Sequence, residues 1–424
     1  PAIRSHLAPP DPLHLPSDTG TRSLLAQGGP GEGERQEPEA APVERPEFEE
    51  QPAEIAPPPP PLEEVVARAP VTRESRKARE RSDYTFIDDL VDIALDAYIP
   101  PDAERGYFRL RILPKEDGDI EVLPKDVVFV VDASNSIHQH KLDVTARSVR
   151  DALDVLRPQD RFNIVLFRDT PNPFRPGPVA ATDDHKERAR DFLDDLESRG
   201  ETDVYKAILP VLQKQGRAGA PRVIFVVSDG RPTTGMRDER TIINGLTADN
   251  KLRNSIFTFG GGRTVDRYLL ELLAYRNKGE ARVAQDIGDI DEGLPRFVAT
   301  LRDPLLVDLD ADYGRVDEAA VFPSVLPDFY RDRPVTVYGR FDPAEDKEFF
   351  MRLTGRAGDR RKELVFRTDL QEATTGDASI AQGWAFQKAY DIIGDISRLG
   401  EEPELLAELQ AVSRTYNVRT IYDE

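Results

Sequence analysis

The stretch "DVVFVVDASNSIHQH", residues 126–140, decides how the rest of the chain is read. Five apolar residues, Val127 to Val131, run without a break into Asp132, and hydroxyls follow at Ser134 and Ser136. A short continuous run of β-branched and aromatic residues predicts a strand buried on both faces, as in a parallel sheet. Such a strand carries Asp132 to its carboxyl end, where the backbone turns into a loop.

Outward from this strand the pattern repeats. Strands are predicted in "RFNIVLF" (161–167), "RVIFVVSDG" (222–230), "SIFTFG" (255–260) and "EARVAQD" (280–286). Amphipathic helices are predicted over 139–156, 184–196, 204–215, 237–250, 265–276 and 291–303, with Pro210 kinking or delaying the third. Apolar strands alternating with such helices define an α/β fold: a doubly wound, mostly parallel sheet over 124–303, with ligands expected at the carboxyl ends of its strands. After Pro304 the period changes to two. "LLVDLDADYG", "PVTVYGRF", "EFFMRLTGRA" and "KELVFRTDL" predict a small antiparallel β-sandwich over 304–370. Two closing helices, with Trp384 in the core, and a last strand in "VRTIYDE" are expected over 371–424.

Ahead of the sheet, "YTFIDDLVDIALDAYI" (84–99) has apolar residues at helical spacing and "GYFRLRILP" (106–114) alternates. A helix and a strand are expected over 83–123, packed on the α/β domain. Residues 1–82 hold 16 of the chain's 35 prolines within their first 70 positions, and "GEGERQEPEAAPVERPEFEEQPAE" within them has almost no large apolar residue. Such a stretch cannot bury enough surface to offset its ordering entropy, so a disordered tail or linker is expected.

Composition narrows the function classes. A formal net charge of -21 argues against broad contact with nucleic acid phosphates. With no cysteine, disulfides, thiolate metal sites and cysteine nucleophiles are excluded. No apolar run is long enough to span a membrane. The chain begins at Pro1, so an anchor or signal upstream of it stays open, and an extracytoplasmic location is expected.

Two strands end in carboxylates, Asp132 and Asp229, and "SRGETDVYKAI" places Thr202 at the start of a helix between them. In a parallel sheet these loops can meet, gathering Asp132, Ser134, Ser136, Thr202 and Asp229. The set is all oxygen, which suits a hard divalent cation: Mg²⁺, with Mn²⁺ or Ca²⁺ as alternatives. Two carboxylates and three neutral hydroxyls leave an octahedral cation incomplete, open to water or to a partner's carboxylate. Asn135, His138, Glu201, Asp203 and Arg231 are candidates for the rim that meets that partner.

The Asp-x-Ser-x-Ser stretch, the separate Thr and the later Asp resemble the metal-ion-dependent adhesion site of the von Willebrand factor A domain. That resemblance implies Ser134, Ser136 and Thr202 as direct ligands, with Asp132 and Asp229 direct or bridged by water. A narrower resemblance, carried by "PKDVVFVVDASNSI", "SIFTFGGG", "LPDFYRDRPVTVYGRF" and "WAFQKAYDIIGDI", covers roughly residues 105–424. It points to the inter-α-trypsin inhibitor heavy chain group and its bacterial relatives. The sequence departs from these patterns in four ways. There is no room ahead of the A domain for the β domain expected there. The Asp-Pro-His tail used for coupling to hyaluronan is missing, so that activity is not expected. Asn135 stands at a position where Gly is common; Asn tolerates a left-handed backbone, so the loop is expected to survive. Glu201 stands where a second Gly usually precedes the threonine.

The expected function is a metal-dependent adhesion or assembly module binding a protein through its Glu or Asp, without enzymatic activity. A metal-dependent hydrolase built on Asp132 and Asp229, and a subunit whose metal only stabilises the fold, are the alternatives. "DLDADYG" (308–314) lacks the Gly and Glu of a calcium loop and reads as a strand, and "GGGR" (260–263) reads as a turn.

Overall fold

The computed structural model describes residues 84–420, apart from 88–89, 102, 116–119, 169, 195, 215, 218 and 371–372. The stretch 1–82, expected to be disordered, lies outside the described residues, as does 421–424 of the expected last strand.

The chain opens with β1 (Tyr84–Phe86), β2 (Val91–Tyr98) and β3 (Gly106–Pro114). The α/β part follows: β4 (Asp126–Asp132), α1 (Gln139–Asp154), β5 (Arg161–Phe167), β6 (Asn172–Pro173), β7 (Val179–Ala180), α2 (Asp183–Phe192) and α3 (Val204–Gln213). It continues with β8 (Arg222–Val227), α4 (Glu239–Asn250), β9 (Ser255–Gly261), α5 (Arg267–Tyr275), β10 (Ala281–Ala284) and α6 (Ile290–Ala299). Then come β11 (Pro304–Asp312), β12 (Val321–Phe322), β13 (Phe329–Tyr330), β14 (Val335–Phe341), β15 (Glu348–Ala357), β16 (Arg360–Asp369) and β17 (Thr374–Thr375). Helices α7 (Ala378–Leu399) and α8 (Pro403–Tyr416) close it. Among these, no helix is long and apolar enough to cross a membrane.

The α/β part is one sheet in the order β10-β9-β8-β4-β5-β6, parallel from β10 to β5 with short antiparallel strands at one edge. All seven residues of β4 are buried. Alternation sends Val128 and Val130 to one face, where they pack with Ile208, Ile243 and Leu269 and with Trp384 and Ile392 of α7. Val127, Phe129 and Val131 go to the other face, against Val149, Leu153 and Phe297. Each such side chain contributes about 1.5–3 kcal/mol by leaving water, so this strand cannot shift register cheaply. The connection from β4 runs to β5 on one side, while β8 lies on the other. The strand order therefore reverses between β4 and β8, which opens a crevice at their carboxyl ends.

Two further sheets, β1-β16-β15-β11-β13 and β12-β14-β3-β2-β17, enclose a second core of Phe108, Leu110, Phe349, Met351 and Leu353. The sandwich is thus larger than the span 304–370. Residues 84–114 supply a strand to one sheet and two to the other, so strands do precede the α/β part. The helix expected over 84–99 is corrected by β1 and β2. Its apolar residues fit two periods at once. Val91, Ile93, Leu95 and Ala97 also alternate, and β3 next along the chain pairs with them from Val91↔Pro114 to Tyr98↔Tyr107. Pairing and packing in a two-layer core outweigh helical spacing there. On the other side of β2, Asp96 takes two hydrogen bonds from Arg109.

The closing segment differs from expectation too. Asn417, left-handed at φ 53, ends α8, and Val418 to Thr420 form no strand. Trp384 is 2 % exposed and donates its indole N–H to the Ala320 carbonyl at 2.8 Å. Pro210 lies inside α3 and does not start it. The acidic strand β11 carries a bulge between Val307 and Asp310, where Asp308 has φ 52 and meets Lys278 and Arg356.

The α/β part enters and leaves the sandwich at one place. The Leu123 amide donates to the Pro304 carbonyl at 2.8 Å. Beside it, buried Lys125 donates to Asp160 and to the Arg302 carbonyl, each at 2.7 Å.

Candidate metal centre

Strand β4 delivers Asp132 to the carboxyl edge of the sheet, and the loop to α1 brings Ser134 and Ser136 back beside it. Asp132 and Ser134 are 1 % and 0 % exposed. The Ser134 amide and hydroxyl donate to Asp132 Oδ1 at 3.0 and 2.6 Å, which fixes the turn. Thr202, also fully buried, stands just before α3, with its hydroxyl 2.5 Å from Ser134 Oγ and 3.1 Å from Ser136 Oγ. The two serine hydroxyls are 2.8 Å apart. Asp229 follows β8 directly, 3 % exposed, with its Oδ1 accepting the Arg231 amide at 3.2 Å.

Three hydroxyl oxygens therefore form a compact triangle bonded to buried Asp132, and buried Asp229 adjoins Ser228, whose hydroxyl bonds that same carboxylate. Adjacent ligands of an octahedral Mg²⁺, at the usual 2.0–2.1 Å, stand about 2.9 Å from each other. The sides of the triangle, 2.5 to 3.1 Å, bracket that value. Three O–H protons also face roughly six hydroxyl lone pairs, so the group has acceptor capacity to spare. Among the described residues no cluster of three or more His, Asp or Glu side chains forms a metal cage. A cation here would rest on hydroxyls, which suits a hard ion and not a soft one. The donor set fits.

The carboxylates are held at a cost. Burial pushes the Asp132 carboxyl up to about 6, against the hydrogen bonds from Ser134 and Ser228. Burial raises Asp229 as well, opposed by Lys141 and Arg231. Positive charge nearby would relieve both.

The rim residues divide. Asn135, His138, Glu201 and Arg231 are exposed around the triangle. Asp203 is half-buried and caps α3 by accepting the Lys206 amide at 2.9 Å. The loop forms with Asn135 in place, and Asn135 itself is not left-handed. Gly200 is, at φ 81, and its carbonyl receives the Asn135 amide at 2.9 Å.

Several residues the sequence reading passed over complete the centre. Ser228 Oγ donates to Asp132 Oδ2 at 2.7 Å. Thr233 Oγ1 accepts the Thr202 amide at 2.7 Å, and the Thr233 amide returns to the Thr202 carbonyl at 2.9 Å. Ser198 Oγ donates to the Ser134 carbonyl at 3.0 Å. Lys141, 8 % exposed in the first turn of α1, lies within the field of Asp229 and Asp132. One signal was available for it: Lys141 shares its helical phase with Thr145, Ser148 and Ala152, all buried.

A doubly wound sheet with a hydroxyl-carboxylate cluster at its switch point defines an A-type α/β domain. The family model described as the von Willebrand factor type A domain matches residues 125–283. Similar proteins include human inter-alpha-trypsin inhibitor heavy chain H4, 31 % identical over 50 % of this chain and 23 % of its own length. Human inter-alpha-trypsin inhibitor heavy chain H6 is 29 % identical over 73 % of this chain and 24 % of its own length. The chain thus spans about a quarter of these curated relatives. Among solved structures, a von Willebrand factor type A protein from Catenulispora acidiphila aligns with TM-score 0.53 and 12 % identity, covering 77 % of this chain and 87 % of its own. The ArnB paralog VWA2 from Sulfolobus acidocaldarius aligns with TM-score 0.50 and 17 % identity, over 77 % and 91 %. At such identities these two speak for the fold alone.

Proposed function

We propose that the chain is a metal-dependent protein-binding module, serving adhesion or assembly outside the cytoplasm and not catalysis. Ser134, Ser136 and Thr202 would hold Mg²⁺, or Mn²⁺ or Ca²⁺ in its place, with Asp132 and Asp229 behind them. The bound cation would supply a positive charge with an open position for a Glu or Asp side chain of a partner protein. The chain's own residues do the rest. Ser228 and the Ser134 amide orient Asp132, Thr233 fixes Thr202, and exposed Asn135, His138, Glu201 and Arg231 frame the opening.

The observation that carries this reading is the triangle of hydroxyls 2.5 to 3.1 Å apart, bonded to buried Asp132, with buried Asp229 next to Ser228. Such a cluster leaves a cation short of negative charge, which a partner's carboxylate supplies. Similarity to inhibitor heavy chains favours binding over catalysis.

The test is affinity purification on the immobilised chain in Mg²⁺, followed by elution with EDTA. Partner protein is expected in the eluate, absent from the Ser134→Ala column, where Mn²⁺ affinity should also fall at least ten-fold by calorimetry. Partner binding indifferent to both EDTA and Ser134→Ala sinks the proposal.

A further inference from the structure

Lys141, a lysine only 8 % exposed, is left without a task by the metal reading. Among the described residues the other buried lysines are each held. Lys125 donates to Asp160, Lys186 to the Leu156 carbonyl at 2.8 Å, and Lys278 pairs with Asp308 and Asp328. No hydrogen bond or ion pair holds Lys141. Its helical phase turns it toward the sheet edge, into a cavity of about 10 Å³ lined also by Asp132, Ser228, Gly260 and Gly261. That volume is on the order of one water. Its charge faces Asp132 and Asp229 from α1, while Arg231 acts on Asp229 from the loop after β8.

We infer that Lys141 is a built-in counter-ion of the centre, which weakens metal binding and makes it depend on an anionic ligand. The inference rests on the metal-binding reading given above. Its ground is a charge count. Two carboxylates against Lys141 and Arg231 leave the centre neutral before any metal arrives. A divalent cation then brings two uncompensated positive charges into a largely buried site. Arg231 is exposed, so solvent screens it; Lys141 is buried, so its repulsion is felt. A carboxylate at the open position offsets part of this excess. Metal and anion therefore bind cooperatively, each raising the affinity of the other by the same factor. The ligand class is an anion, and Lys141 sets how strongly the metal depends on it.

Mn²⁺ titration calorimetry on the full chain tests this, in chloride buffer and again in excess acetate. Lys141→Met is expected to bind Mn²⁺ on the order of ten-fold more tightly than the native chain in chloride. Acetate should tighten Mn²⁺ binding in the native chain and do so less in the variant. Lys141→Gln, which keeps a polar group in the cavity, takes the place of Lys141→Met should that variant fold poorly, with the same tighter binding expected. Lys141→Arg, which keeps the charge, should follow the native chain. Unchanged or weaker Mn²⁺ affinity in the folded neutral variants overturns the inference. A native chain that binds no Mn²⁺ in either buffer overturns the underlying metal reading instead.

Discussion

Strand β4 bears buried charge at both of its ends, and the two ends treat it differently. At the amino end every carboxylate meets a cation. Asp126 takes two hydrogen bonds from Arg161, at 2.8 and 2.5 Å, and Asp160 meets Lys125 at 2.7 Å and Arg157 at 3.2 Å. Burial pushes the Asp160 carboxyl up, but Lys125 and Arg157 outweigh it and hold it below the usual carboxylate range. At the carboxyl end Asp132 receives hydroxyls and an amide, and burial wins. The contrast separates carboxylates paired directly with cations from one held by hydroxyls and an amide, where the proposed metal would sit.

Three measurements probe that contrast. The largest effect is expected from Asp160→Ala, which strands fully buried Lys125. Urea unfolding should show a loss of about 3–5 kcal/mol, with Mn²⁺ affinity nearly unchanged. A loss well under 1 kcal/mol would mean the amino end is not held by the pairing described.

The carboxyl end should respond to pH in the opposite sense. Asp132 moves from the ordinary 3.8 up to about 6 in the folded chain. The native state then holds this proton more tightly than the unfolded chain. In EDTA the stability contributed by this group is full below about pH 4 and falls as pH rises to about 6, by roughly 3 kcal/mol in all. Divalent metal should flatten this slope, and so should Asp132→Asn. Melting curves from pH 4 to 7 with and without EDTA measure it. A slope of the opposite sign that survives Asp132→Asn would erase the contrast.

The smallest effect sharpens the boundary of the centre. Asp203→Ala removes the cap of α3 and should cost about 1 kcal/mol with no change in Mn²⁺ affinity. Lost Mn²⁺ binding in that variant would move Asp203 from helix cap into the centre.

The sheet and its cluster were legible because their signals are local. Val127 to Val131 is apolar whichever face is considered, and Asp132, Ser134 and Ser136 follow within five residues. Thr202 and Asp229 lie far along the chain, but a parallel sheet can bring its carboxyl-end loops together. Residues 84–99 misled because the partners that decide them are not all near. β2 needs β3, and β3 needs β14, more than two hundred residues later. Lys141 was hidden for another reason. A lysine near the start of an amphipathic helix reads as solvated, and only its phase with Thr145 and Ser148 shows that it points inward. Asp203 looked like a rim residue because a carboxylate next to Thr202 can face either the cation or the helix amides, and the backbone after it decides which.

The adjoining crossings at Leu123 and Pro304 bear on how the molecule carries load. Under the proposed function, a partner pulling on the centre would draw on β4 and β8, deep in the sheet, and the force would leave the α/β part through the adjacent crossings and through α7, which packs on the sheet. The two crossings are tied to each other by the Leu123–Pro304 and Lys125–Arg302 hydrogen bonds, so they would have to part together. A domain hung by one connection swings on its linker. One hung by two adjacent connections is held in orientation, and a tug on its tip is passed to the sandwich as a pull along a fixed axis.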